Sequence, residues 1–451
     1  MTTNVEQQPA SSAYWPGFGK FQDPEPLFRL RGQSNADRKP ASVEAQTRQQ
    51  DYADRQTLLA ELALKIDLVV QGIALDLGVL RQFPIGTKYL EQIHLLFDMD
   101  REHHGDVELP AAFYLPHGLF TAFRWDPDSR YRLRAEDGQP VLYRGEQRVA
   151  PIEFYRRPEL LDNETSDGES FAHIAQFGPE GNVGIFYSNE CDLRHTGDDC
   201  RYCNINSTAA AYREQNIFLK TPRQVGEVFA TAHAQGRAGH INVTGGFIPE
   251  RREVDYYLDV ADEIKSRSGV KEIHGTAVIG APLDLRIIDK YREAGYTTIA
   301  LNLEIWDRDI FKAICPGKQK RCGGWDHWVK ALEYAVSVFG RGKVRSNLVA
   351  GIEPKESVLR GVEELAAKGV ICFAGAWCPN PGSALEGHRT PEAAWHYDLT
   401  LKAAAIFAQH GYTTLDLYDA LGASSPFHDA FRINARENVA DQLPQWTYPN
   451  R

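Results

Sequence analysis

The chain has 451 residues, 43% of them hydrophobic and 25% charged, room for up to about three domains and an ordinary globular composition. Its 61 acidic and 50 basic side chains leave a net charge of −11, which argues against nucleic-acid or anionic-membrane binding driven by Lys and Arg. Seven cysteines, an odd number, are too few for a disulfide scaffold at this length.

Residues 1–55, rich in Gln, Arg, Asp, Ser and Pro, predict a flexible N-terminal arm. The start MTTNVEQQPASS lacks the basic and apolar regions of a signal peptide. The most apolar stretch, Ile66 to Leu80, is interrupted by Asp67, Gln71 and Asp76 and is too short for a bilayer. A cytoplasmic protein is expected. From Arg55 the spacing of Leu58, Leu59, Leu62, Ile66 and Ile73 predicts a buried helix. Residues 56–175 read as an accessory α+β region.

After residue 180 strands and helices alternate. The apolar run Val183–Tyr187 leads into a cysteine-rich loop. Thr221-Pro222 is an N-cap and first helical residue for a helix to Ala234. Strands follow at His240–Thr244, Glu272–Ile279, Thr297–Ile305, Val344–Ala350 and Val370–Trp377, separated by amphipathic helices. Six strands alternating with helices predict an α/β fold, a partial or complete parallel (β/α) barrel. The core is expected over 176–385, with a C-terminal helical extension over 386–451.

The loop is Cys191-x8-Cys200-x2-Cys203, placed at a strand's carboxyl end, where such barrels keep their chemistry. Three thiolates can hold a [4Fe–4S] cluster with one iron left for an outside ligand. They can also bind structural zinc with His195 as the fourth ligand, or be unliganded core cysteines. The second strand ends Asn242-Val243-Thr244-Gly245-Gly246, where two glycines let the backbone approach a ligand or merely turn the chain. The fourth ends Leu301-Asn302-Leu303-Glu304. Alternation places Asn302 and Glu304 on one face, as a ribose-binding pair or a structural one.

These pieces fall in order at the ends of successive strands, and over about residues 180–385 the chain resembles the radical S-adenosylmethionine (radical SAM) superfamily, nearest its biotin synthase-like branch. The first cysteine gap is longer than the family's common C-x3-C-x2-C, and Phe247 stands where an acid usually follows the glycines. The resemblance implies cluster ligation by Cys191, Cys200 and Cys203. It places Tyr202 on adenine, Gly245 and Gly246 on the methionine amino group, Asn302 and Glu304 on the ribose, and Gly351, in Val349-Ala350-Gly351-Ile352-Glu353, near adenine. The implied activity is reductive cleavage of S-adenosylmethionine to methionine and a 5′-deoxyadenosyl radical that takes hydrogen from a small-molecule substrate in a biosynthetic pathway. The electron donor would be a flavodoxin or ferredoxin.

Transfer of a methyl or 3-amino-3-carboxypropyl group is the enzymatic alternative, and a zinc-stabilised binding protein the alternative of another class. Cys315 and Cys378 are expected to face the barrel mouth, as catalytic candidates or ligands of a second metal or iron–sulfur site. Cys372 reads as core, and Cys322 carries no assignment. His274 points to substrate or into a satisfied hydrogen-bond site. Arg345 and Asn347 alternate on the fifth strand, for a substrate carboxylate or a structural role. Lys318 and Lys320 read as exposed loop charges.

Overall fold

The computed structural model describes residues 28–29, 52–53, 55–83, 85, 107–155, 158–214, 219–421 and 425–435. The expected arm over 1–55 lies outside them except at residues 28–29, 52–53 and 55, as does the expected extension beyond 435.

The first long helix, α1 (Arg55–Gln71), buries Leu58, Leu59, Leu62, Ile66 and Leu68, as its apolar spacing predicts. It also buries three charged side chains, each partnered. Glu61 accepts hydrogen bonds from the backbone N–H groups of His117 (2.7 Å) and Leu119 (3.0 Å). Asp67 accepts from the Tyr131 hydroxyl at 2.5 Å, and Lys65 pairs with Asp429 at 2.6 Å. These bonds tie α1 to the accessory region on one side and to the C-terminal helix Pro426–Ala435 on the other. The accessory region holds two small antiparallel sheets, 112–114 with 120–122 and 153–154, and a meander of 131–136, 139–144 and 147–151.

The main sheet has seven strands in chain order. An antiparallel edge strand, β1 (Ala175–Phe177), precedes six parallel ones: β2 (Asn182–Ser188), β3 (His240–Gly245), β4 (Ile273–Ile279), β5 (Tyr296–Leu301), β6 (Val344–Ala350) and β7 (Val370–Ala376). The two end strands do not pair with each other, so the sheet is a partial barrel. Each parallel step crosses over through helices: α2 (Ile205–Glu214) and α3 (Pro222–Ala234) after β2, α4 (Glu250–Ser268) after β3 and α5 (Ile287–Glu293) after β4. Thr221 and Gln224 form the capping box that starts α3.

Two differences from the sequence reading bear on the site. The strand expected to reach Ile305 stops at Leu301. The next segment contains two unforeseen short helices, α6 (Arg308–Ile314) and α7 (Pro316–Arg321), before the expected α8 (Gly324–Phe339). Helix α9 (Lys355–Ala367) joins β6 to β7, and α10 (Ala393–Gln409) follows β7.

Strand alternation sorts the sheet's two faces. Leu348 packs outward, 2.9 Å from the position a Cβ on Gly361 of α9 would take, so Arg345, Asn347 and Val349 point inward. Asn242 points inward too, because it meets Arg345 although β3 and β6 are separated by β4 and β5. Helix α11 (Thr414–Leu421) closes the barrel at the strands' amino ends: the Ala420 carbonyl accepts from Thr276 at 3.2 Å, and Asp419 pairs with His274 and Lys343.

Burial pushes Glu61 up to about 7 from 4.5, against the pull of its two backbone donors. The native state therefore holds this proton longer than the unfolded one, and stability falls as pH rises from about 4.5 to about 7. Glu61→Gln should flatten this part of the urea-midpoint curve, and an unchanged slope would assign it elsewhere.

Candidate active site

The cysteine loop starts where β2 ends. Cys191 precedes a single helical turn, Asp192–His195, and Cys203 precedes α2. One side of the loop is held by β3's trailing segment, through Asp192 N–H to the Phe247 carbonyl at 2.7 Å. The other side is held by α6 and α7. Arg201 N–H donates to Ile314 O (2.9 Å) and Gly317 N–H to Asp198 O (2.9 Å). Lys320 pairs with Asp198 at 2.6 Å and Arg321 with Asp192. A side chain at Gly317 would lie 2.5 Å from the Asp198 carbonyl oxygen, so α7 seats against the loop only with glycine there. Lys320 and Arg321 thus secure the loop.

The loop delivers its sulfurs into a desolvated pocket of charge. Burial pushes the Cys203 thiol up to about 12, and the neighbouring Cys200 and Cys191 sulfurs add to the rise. A hydrogen bond from the Cys315 thiol, followed by the Lys318 charge, holds Cys200 below the usual thiol range despite its burial. Tyr202 is raised, first by burial and then by the Glu304 carboxylate. Lys318 was expected to be exposed; it is instead buried, donating to Glu304 (2.9 Å) and to the Asn302 carbonyl (2.7 Å) and lying 4.5 Å from the Trp328 ring centroid. Burial alone would lower its pKa, but Glu304 and the sulfurs of Cys200 and Cys315 raise it above the ordinary lysine range. Its signal in the sequence was weak, a lysine within an unforeseen helix.

Asn302 and Glu304 meet at this site by a different route from strand alternation. Glu304 has a left-handed backbone, φ 77°, which costs a non-glycine residue about 1–3 kcal/mol. The turn is held by Glu304 N–H to Asn347 O (2.8 Å) and Val349 N–H to Glu304 O (2.7 Å). The Asn302 side-chain oxygen is buried with no partner. Gly245 and Gly246 lie under the loop, where a Cβ on Gly246 would fall 2.0 Å from the Glu190 carbonyl oxygen. Gly351 ends β6 against Pro391, Thr390 and His396.

Other candidates are dispersed. Cys315, expected to face the barrel mouth, lies beside Cys200. Cys378, expected at the mouth, turns toward α1 and donates to the Val69 carbonyl at 3.3 Å, because the chain after β7 packs on that helix. Cys315 and Cys378 therefore do not share a second metal site. Cys372 is fully buried, in register with outward-facing Ser346. Cys322 lines a cleft of about 150 Å³ with Asp192, Phe247, Glu253 and Arg321. His274 lies at the closed end of the barrel, bonded to the Gly239 carbonyl (2.8 Å) and Asp419 (3.1 Å). It is a satisfied histidine, far along the strands from the loop. Arg345 is buried in the lumen.

Residues 185–366 match the Radical SAM superfamily model. The chain is 26% identical over 312 residues to the bacteriochlorophyllide c C-7(1)-hydroxylase of Chlorobaculum limnaeum, covering 65% of this chain and 76% of that protein. It is 26% identical over 162 residues to the 5-amino-6-(D-ribitylamino)uracil–L-tyrosine 4-hydroxyphenyl transferase of Methanopyrus kandleri, covering 33% of this chain and 40% of that one. Among solved structures it is similar to methylornithine synthase, with 18% identity, a TM-score of 0.41 and coverage of 57% and 72% of the two chains. Residues 185–366 thus match a radical SAM domain, and the comparisons support an enzyme of the radical SAM class.

The radical SAM domain match implies a [4Fe–4S] cluster and S-adenosylmethionine, and the residues present fit both. The Cys203 thiol lies close enough to Cys200 and Cys191 to feel both sulfurs, the three-thiol donor set that a cluster takes. Among the described residues no three His, Cys, Asp or Glu side chains are already gathered around a metal position, and Cys200 is turned to Cys315 instead. The unpartnered Asn302 oxygen offers an acceptor for a hydroxyl beside this region. His195, the fourth ligand a zinc site would need, is exposed.

Removing one member of the Lys318–Glu304 pair strands the other, a loss of about 3–5 kcal/mol for a buried pair. Lys318→Met should lower the urea midpoint strongly, and adding Glu304→Gln should recover part of it. Additive losses in the double variant would show that the two charges are not coupled.

Proposed function

We propose that the enzyme cleaves S-adenosylmethionine reductively and abstracts hydrogen from a small-molecule substrate held in the barrel. The observation that supports this most is the convergence of three elements on one spot: the clamped thiol loop, the Asn302–Glu304 turn after β5, and buried Lys318 of α7. Cys191, Cys200 and Cys203 would hold the cluster, whose bound form supplies the one-electron chemistry that generates methionine and the 5′-deoxyadenosyl radical.

The chain's own groups place and shield. Gly245 and Gly246 bring the backbone of β3 against the loop, leaving main-chain groups for the methionine amino end. Asn302 and Glu304 take the ribose hydroxyls, with Glu304 oriented by its bond to Lys318. Tyr202 lies on the adenine side, and Gly351 lets the chain turn closely against Pro391 at the end of β6. The tight seating of α6 and α7 keeps water from the sulfurs. The hydroxylase of Chlorobaculum limnaeum, aligned over 65% of the chain, supports a reaction at a substrate carbon. A small flavodoxin or ferredoxin would deliver the electron. Among the described residues no helix is long and apolar enough to cross a membrane.

Anaerobic reconstitution with iron and sulfide, then dithionite and S-adenosylmethionine, should release 5′-deoxyadenosine. Cys200→Ser should lose both the brown chromophore and the nucleoside. Release of 5′-methylthioadenosine or S-adenosylhomocysteine instead would replace hydrogen abstraction with group transfer.

A further inference from the structure

The charges inside the barrel form three levels. At the amino ends of the strands, Asp419 is matched by Lys343 and His274. At the carboxyl ends, Glu304 is matched by Lys318. Between them stands Arg345, 6% exposed, and among the described residues no carboxylate pairs with it. Its Nε has no hydrogen-bond partner, and one Nη reaches the Asn242 side-chain oxygen at a long 3.4 Å. The inward Asn347 side-chain oxygen is likewise buried and unpartnered. Burial pushes the guanidinium down to about 10, a small share of which Tyr257 and Glu304 offset.

An unpaired buried guanidinium is a large unfavourable term that folding tolerates only when something else gains from it. Its planar fork of donors matches a carboxylate. The methionine carboxylate of S-adenosylmethionine is the other anion at hand, but the levels differ. Arg345 is in register with Ala300, two residues before Asn302, so at about 3.3 Å per residue it lies about 7 Å deeper. Lys318, beside Cys200, is the cation at the upper level.

We propose that Arg345 is the substrate's anchor, binding a carboxylate deep in the lumen with Asn242 beside it, and that the substrate is therefore a carboxylic acid. This rests on the reading of the enzyme given above. Bound there, the acid would neutralise the lone charge and present its carbon skeleton upward, toward the ribose-binding level.

The test uses the full-length reconstituted holoenzyme, with sodium butyrate as probe and butyramide as its uncharged match at equal ionic strength. Butyrate should raise the melting temperature of the wild type saturably, and butyramide should not. Arg345→Met should melt higher than wild type without probe, having lost an unpaired buried charge, and should lose the butyrate shift. Asn242→Asp, which supplies an internal carboxylate, should do the same. S-Adenosylmethionine affinity, measured by equilibrium dialysis, should stay within about twofold in Arg345→Met. The proposal is overturned by a wild type blind to butyrate, by an undiminished shift in Arg345→Met, or by a tenfold loss of S-adenosylmethionine affinity in that variant, which would give Arg345 to the cofactor. Iron content and nucleoside release from the same wild-type samples decide the radical reading separately, since butyrate binding requires neither.

Discussion

The buried pair of Lys318 and Glu304 is the interaction on which the mouth of the barrel depends. Glu304 occupies a backbone conformation that its side chain disfavours, and it re-pairs with β6 only after β5 has ended. Lys318 comes from α7, whose Gly317, Lys320 and Arg321 hold the cysteine loop. One ammonium group thus links the turn that carries Asn302, the helix that clamps the loop, and the field felt by Cys200. Desolvation makes the link strong, because each charge is costly without the other.

The pair also sets the electrostatic pattern of the lumen. With Glu304 committed to Lys318 above and Asp419 to Lys343 and His274 below, no acid among the described residues pairs with Arg345. The barrel is closed at that lower end by α11, and the cysteine loop lies at the other, where the parallel strands end and their loops gather. Helices outside the core complete the design: α1 binds the C-terminal helix through Lys65 and Asp429, so segments far apart in the chain support the same body.

Much of this was legible from local pattern. Six parallel strands, their crossover helices and the capping residues at Thr221 follow from periodicity and end signals that act over a few residues. The loop cysteines were legible because thiols this close, in this spacing, serve few chemistries. For Asn302 and Glu304 alternation predicted a shared strand face, whereas the strand ends at Leu301 and a left-handed residue beyond it sets their placement. Cys378 was misplaced in the reading, and His274 was left open between substrate and a satisfied site, because their partners, the Val69 carbonyl and Asp419, lie 309 and 145 residues away.

The amino-acid sequence by itself determined the alternation of strand and helix, the position of the thiol loop at a strand's carboxyl end, and the radical SAM class, because each is written in residue types within a short span. Only the tertiary structure decided which charges are paired. Lys318 became an interior cation, His274 a satisfied floor residue and Arg345 a lone charge, since desolvation and pairing depend on neighbours that the chain brings together only when the sheet curls and its helices pack.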